Sequence, residues 1–217
     1  MILSYSSGFL FVHIEKAAGS SIQQALLPVA NVAANSRLRR RLALLGPLNR
    51  IGGLYRALQF GEHATADEVK RRLPTGAYNA LFKFAFVRNP WDRLVSRYAH
   101  LLRSKDRRRH EFISGLEKFE DFLLWEIRRD SANQYPYVTD ARGNQIVDFI
   151  GHYETLAEDF AKVCARLKLQ VELPHANVSD HRDYRTYYTP ETREFVAKQF
   201  RRDIEMFGYD FDGLIKA

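Results

Sequence analysis

Apolar and polar residues along the chain fall into alternating strand-like and helix-like patterns. Phe9-Leu-Phe-Val-His-Ile14 is a short apolar run followed by a Gly/Ser turn and Ile22-Gln-Gln-Ala-Leu-Leu27, which predicts strand, loop and helix. Leu81-Phe-Lys-Phe-Ala-Phe-Val87 predicts a second buried strand, rich in aromatic residues. Asn89 then supplies an N-cap, Pro90 the first helical position and Asp92 an acidic third position, so a helix is expected from Pro90 to Leu102. Thr65-Ala-Asp-Glu68 has the capping-box pattern and should open a short helix through Leu73. Ile146-Val-Asp-Phe-Ile150 predicts a third strand, followed by a helix from Leu156 to Leu167. Thr189-Pro-Glu-Thr192 opens the last helix, whose Phe195, Val196, Phe200, Ile204 and Phe207 recur at helical spacing until Gly208 stops it. That stripe reads as core. Strands alternating with helices imply an α/β fold, with a parallel sheet covered by helices on both faces.

The 217 residues contain no repeat, low-complexity tract or Pro/Gly/Ser linker, so a single domain over residues 1–217 is expected. A content of 46% hydrophobic and 27% charged residues excludes a disordered chain. No run approaches the roughly 18 apolar residues of a membrane span, and the Met1 end lacks the basic segment of a signal peptide. The expectation is a cytoplasmic, bacterial-type protein without membrane association. Cys164 is the only cysteine, which excludes an intrachain disulfide, and no Cys/His cluster offers a zinc site.

Charge changes this picture by its distribution. The net charge is +7, but Arg37 to Arg109 holds 18 Lys or Arg against 5 Asp or Glu, whereas the remainder holds 15 against 21. Such asymmetry suits a polyanion, a phosphorylated ligand or an anionic membrane surface. The plain alternative is that Arg37–Arg41 and Arg103–Arg109 are solvated helix faces. Charge alone leaves nucleic acid open.

Two strand-to-helix turns carry more specific chemistry, at the place where α/β sheets bind ligands. In His13-Ile-Glu-Lys-Ala-Ala-Gly-Ser-Ser21, small residues let the backbone curl toward an anion. The helix N-terminus adds positive potential, Lys16 stands at the lip, and Ser20 and Ser21 add hydroxyls. A nucleotide P-loop places its lysine after the second glycine and draws on a strand-end aspartate for magnesium. Here Lys16 precedes Gly19 and no such aspartate is evident, which disfavours an ATP or GTP hydrolase. In Val87-Arg-Asn-Pro-Trp-Asp-Arg-Leu-Val-Ser96, Arg88 ends the strand, while Arg93, Ser96 and Arg97 share a helix face. These groups could grip a second phosphate, with Trp91 and Tyr98 as packing residues.

FVHIEKAAGSSI resembles the 5′-phosphosulfate-binding loop of the sulfotransferases, whose membrane-bound carbohydrate branch often reads F-x-H-x-P-K-T-G-G-T-S. FAFVRNPWDRLVSRY resembles the same family's 3′-phosphate-binding strand and helix. The order and separation of the two motifs fit, as do GHYETLAEDF and YRTYYTPETREFVAKQFRRDIEMFGYDF, so the resemblance spans essentially the whole chain. It implies a P-loop-like three-layer fold and sulfuryl transfer from 3′-phosphoadenosine 5′-phosphosulfate to an acceptor hydroxyl or amine, without a metal. By the resemblance, Lys16 would stabilise the leaving phosphate, while Ala17, Ala18, Gly19, Ser20 and Ser21 would hold the 5′-phosphate. Arg88 and Ser96 would bind the 3′-phosphate. The departures are Glu15 where proline is usual, Ala17 for threonine and Ala18 for glycine.

The family's in-line displacement at sulfur requires a base for the acceptor. Gly61-Glu62-His63 lies between the two motifs, where related uronyl 2-O-sulfotransferases have a catalytic histidine, so His63 is the expected base and Glu62 the alternative. His13 reads as structural. Segments similar to Asn177–Arg185 close over the nucleotide in the family, which makes Ser179 and Arg185 candidate donor contacts. By the resemblance, the basic segments Arg37–Arg56 and Arg103–Arg109 fall in inserts that vary across the family and where acceptors usually dock, which favours an acidic, carbohydrate-like acceptor. A nucleic-acid partner is not expected. The competing readings are a non-catalytic polyanion or nucleic-acid binder on the same fold, and a P-loop kinase.

Overall fold

The computed structural model describes residues 1–30, 53–129, 132–174 and 182–215. The basic run Arg37–Arg41 and Ser179 lie outside the described residues. Among the described residues the α-helices in chain order are α1 (Gly19–Leu26), α2 (Ala66–Arg72), α3 (Thr75–Asn79), α4 (Pro90–Leu102), α5 (Arg107–Ser114) and α6 (Phe119–Glu126), then α7 (Tyr135–Val138), α8 (Leu156–Leu167), α9 (Pro190–Gln199) and α10 (Arg201–Phe207). The chain forms two compact units, one from residues 1–86 and 136–176, the other from residues 87–135 and 177–217.

The first unit is built on a four-stranded sheet in the order β1 (Ile2–Ser4), β2 (Phe9–Val12), β3 (Phe82–Val87), β4 (Phe149–His152). β2 and β3 are parallel, with Phe9 opposite Phe82 and Phe11 opposite Phe84. The class is α/β as expected, but the sheet is mixed, because β1 runs antiparallel to β2. The reason is chain length: the turn between them spans only Tyr5–Gly8, whereas a parallel crossover needs a dozen or more residues. Gly8 closes that turn at φ +67, a left-handed conformation that glycine adopts without steric cost.

Side chains alternate across a strand, so Phe9, Phe11, Phe84 and Phe86 share one face. There they pack with Ile22, Ala25 and Leu26 of α1 and with Phe160, Val163 and Cys164 of α8. The Phe11 and Phe84 rings stack at 5.3 Å, a contact that adds about 0.5–1.5 kcal/mol beyond the area it buries. Lys83 points the other way, toward the Tyr78 ring of α3 at 5.1 Å. A buried ammonium must be paired. Lys83 Nζ lies 2.8 Å from the Asp148 carboxylate and donates to the Leu81 carbonyl at 2.7 Å.

Most helix starts follow their sequence signals. The Thr65 hydroxyl accepts from the Glu68 N–H at 3.1 Å ahead of α2, and Asn89 Oδ1 accepts from the Trp91 N–H at 3.0 Å ahead of α4. The third strand is a correction, since β4 begins at Phe149 rather than Ile146. The residues before it are taken by a tight turn: the Ile146 N–H donates to the Val138 carbonyl and the Gly143 N–H to the Asp140 carbonyl. The expected single C-terminal helix is two, α9 and α10, separated by Phe200 at φ −104, ψ 20. Val196 and Phe200 remain buried in the core of the second unit with Trp91, Leu94 and Phe122, so the stripe does pack as core. Gly208 ends α10 in the left-handed region, and the hairpin β5 (Tyr209–Asp210) and β6 (Gly213–Leu214) follows.

Candidate active site

In the first unit, the chain leaves β2 at Val12 and enters α1 at Gly19 through a turn with two left-handed alanine or lysine residues. Lys16 has φ 65, and Ala18, the residue ahead of α1, has φ 63. Each such non-glycine residue costs on the order of 1 kcal/mol, so the turn concentrates strain. This explains why glycine is usual in the resembling motif at the place of Ala18. Ala17 between them is buried, Lys16 and Ser21 are half-buried, and Ser20 is exposed at the first turn of α1.

Gly19 is dictated by His13. A Cβ at position 19 would lie 1.8 Å from Cδ2 and Nε2 of the His13 ring, so only a bare Cα fits. The ring is buried, stacked on Phe11 at 6.1 Å and tilted against His63 at 4.8 Å. Burial, before the neighbouring positive amino terminus and His63, lowers its pKa to about 3, so the imidazole is neutral. His13 is therefore more than a generic core residue: it is the floor on which the start of α1 rests. The period of two that puts Phe9, Phe11 and His13 on one face is the sequence signal for this.

Both expected base candidates lie against His13. Glu62 Oε1 is 3.4 Å from His13 Nδ1, and His63 Nδ1 is 3.3 Å from the His13 carbonyl oxygen. The contact with Glu62 lacks hydrogen-bond geometry, and with a neutral ring it is not an ion pair. A carbonyl oxygen can only accept, so His63 Nδ1 carries the proton in the neutral ring and Nε2 presents a lone pair. Glu62 and His63 are exposed.

In the second unit, Arg88 is 3% exposed and its Nε donates to Asp92 Oδ2 at 2.8 Å. The i, i+4 spacing of that pair was readable, but sequence reasoning assigned Asp92 only to the helix start. Arg93 and Arg97 depart from the expected phosphate-facing row. Arg93 Nη1 donates to the Ala132 carbonyl, and Arg97 pairs with Glu126 at 3.6 Å, with both guanidiniums buried. Ser96, between them on α4, is also buried. Trp91 and Tyr98 pack as expected, Trp91 Nε1 donating to the Arg193 carbonyl and Tyr98 lying 5.0 Å from the Phe122 ring. Arg185 is exposed, with Nη1 3.2 Å from Asp183 and Nε 3.3 Å from Asp212. Its charge is thus shared with two carboxylates.

A tight turn at the end of a strand, a lysine within it and hydroxyls at the N-terminus of the next helix define an α/β protein of the phosphate-loop type. The chain belongs to the sulfotransferase family, whose model matches residues 1–210, and sulfuryl transfer is its reaction class. It is also 35% identical over 108 residues to an uncharacterized protein of Archaeoglobus fulgidus, a match that covers 48% of this chain and 82% of that one. Among the described residues no helix is long and apolar enough to cross a membrane, and no group of three or more His, Cys, Asp or Glu is arranged to hold a metal ion.

Proposed function

We propose that the protein transfers a sulfuryl group from 3′-phosphoadenosine 5′-phosphosulfate to a hydroxyl of a carbohydrate-like, acidic acceptor. The observation that carries this reading is the fit of Gly19 over His13, with Lys16 and Ala18 held left-handed beside it. A backbone shaped this closely offers N–H groups to an anion, and it keeps its shape without a side chain in the way. In this reading Ala17, Ala18, Gly19, Ser20 and Ser21 take the 5′-phosphate, while Arg88 and Ser96 take the 3′-phosphate. Arg185 is a secondary donor contact, and Ser179 belongs to the same proposal from sequence.

The reaction forms a bond between the acceptor oxygen and sulfur as the bond from sulfur to the 5′-phosphate oxygen breaks. The acceptor proton passes to Nε2 of His63, whose Nδ1–H is held by the His13 carbonyl. Lys16 meets the negative charge that grows on the departing phosphate, so its contribution is largest in the transition state. Glu62 is the alternative base.

The test measures affinity for 3′-phosphoadenosine 5′-phosphate against ADP, then turnover of labelled donor by three variants. A clear preference for the 3′-phosphorylated nucleotide supports the reading, and equal affinity points to a generic polyanion binder. Magnesium-dependent ATP turnover would instead mark a kinase. Lys16→Ala should abolish turnover with only modest loss of nucleotide binding. His63→Ala should lower kcat about 10²–10⁴-fold with donor affinity kept. Full activity of His63→Ala beside an inert Glu62→Ala transfers the role to the carboxylate.

A further inference from the structure

Gln134 lies outside every motif read from the sequence and Asp203 has no role assigned within the last of them, yet both are completely buried. Gln134 Oε1 accepts from the Arg88 N–H at 3.0 Å, and its Nε2 donates to the Arg88 carbonyl at 2.8 Å. This reciprocal pair satisfies both main-chain groups of the residue that follows β3, as a neighbouring strand would. Gln134 is itself held from α10. Asp203 Oδ2 accepts from the Gln134 N–H and Oδ1 from the Tyr135 N–H, each at 2.8 Å. Burial pushes the Asp203 carboxyl above its usual range, opposed by those two N–H groups and by the nearby Arg93 charge. At the other end, the Arg88 side chain is tied to Asp92. Four hydrogen bonds therefore join α10 by way of Gln134 and Tyr135 to the Arg88 main chain, and a fifth holds the Arg88 guanidinium, all within the second unit.

We propose that Gln134 and Asp203 are positioning residues that set where the Arg88 guanidinium stands and thereby the preference for a 3′-phosphorylated nucleotide; this rests on the reading of Arg88 as the 3′-phosphate ligand. An amide that grips both the donor and the acceptor of one residue fixes that residue's position along the strand and its rotation about it. Ordinary core packing constrains neither so tightly. Arginine recognises phosphate through a rigid fork of N–H groups, so a displacement of about 1 Å forfeits much of the interaction. Adenine and the 5′-phosphate do not depend on that fork, and their share of the affinity should survive.

The experiment uses the whole chain and two probes that differ only in the 3′-phosphate: 3′-phosphoadenosine 5′-phosphate and adenosine 5′-monophosphate. Calorimetric Kd values and melting temperatures are measured for wild type, Arg88→Ala, Gln134→Glu, Gln134→Met and Asp203→Asn. Glutamate can still accept the Arg88 N–H but sets an acceptor against its carbonyl, whereas methionine keeps the volume and offers neither partner. The Gln134 variants and Asp203→Asn should lower affinity for the 3′-phosphorylated probe about 10–100-fold, the loss expected for a charge-assisted hydrogen bond. Affinity for the monophosphate should stay within about twofold by the same argument. If one Gln134 variant fails to fold, the other and Asp203→Asn decide. An equal loss for both probes, or an unchanged ratio in folded variants, overturns the positioning role. If Arg88→Ala itself leaves the ratio unchanged, the reading of Arg88 fails and the proposal falls with it. If Arg88→Ala collapses the ratio and the other variants do not, the relay alone is wrong.

Discussion

A methyl group at position 19 would have to share space with the His13 ring, and the ring has nowhere to go. It is buried, with Phe11 stacked on it and His63 beside it. Gly19→Ala should therefore destabilise the protein by about 1–3 kcal/mol, the usual range for overpacking. It should also weaken binding of 3′-phosphoadenosine 5′-phosphate, because the start of α1 must lift. A double-mutant cycle with His13→Ala isolates the collision. The doubly substituted protein should be at least about 1 kcal/mol more stable than the sum of the two single losses allows. Additive losses in urea unfolding would mean that the two residues do not meet. Gly19 was legible as a small residue of a tight strand-to-helix turn, but the partner that forbids any other residue was not, because close approach is a property of the packed turn.

At the scale of elements, the β3–α4 unit was read to within a residue. Its signals are local: an aromatic run, then Asn89, Pro90 and Asp92 in succession. Asn89 has a second task in the fold, since its Nδ2 donates to the Asp210 carbonyl at 2.8 Å at the β5–β6 hairpin. Asn89→Asp keeps the cap and loses that donor, whereas Asn89→Ala loses both. The cap is worth about 1 kcal/mol and a hydrogen bond about as much, so alanine should destabilise by about 2 kcal/mol and aspartate by roughly half of that. Equal effects of the two substitutions in thermal unfolding would show that the contact to the hairpin carries no energy. The elements that were not foreseen or were misplaced, β1, β4 and the break at Phe200, are short and depend on neighbours. Nothing in Ile146-Val-Asp-Phe-Ile150 announces that its first residues are claimed by Val138 and Lys83.

For the molecule as a whole, the neutral His13 makes stability depend on pH. Its folded pKa of about 3 lies well below the unfolded value near 6.5, so between those limits the unfolded chain binds more protons than the folded one. The associated stability is complete above pH 6.5 and is lost as pH falls toward 3. The slope approaches about 1.4 kcal/mol per pH unit inside the window. Urea midpoints measured from pH 7 to pH 5 should fall for wild type and fall less steeply for His13→Phe, which has no proton to gain. Parallel curves for the two proteins would exclude His13 as the source.

Strand, loop and helix at each of the two strand-to-helix turns, the capped start of α4 and the likeness to sulfotransferases all follow from the order of residues. They rest on interactions between neighbours along the chain: alternation, capping and the small side chains of the turn. Tertiary structure alone decided what those residues meet. It placed Glu62 and His63 against His13 and fixed the tautomer of His63. It turned Arg93 and Arg97 onto protein acceptors and bound Arg88 through Gln134 to Asp203, 115 positions further along the chain. No periodicity joins positions so far apart, because their pairing exists only when burial leaves each polar group a single partner to satisfy it.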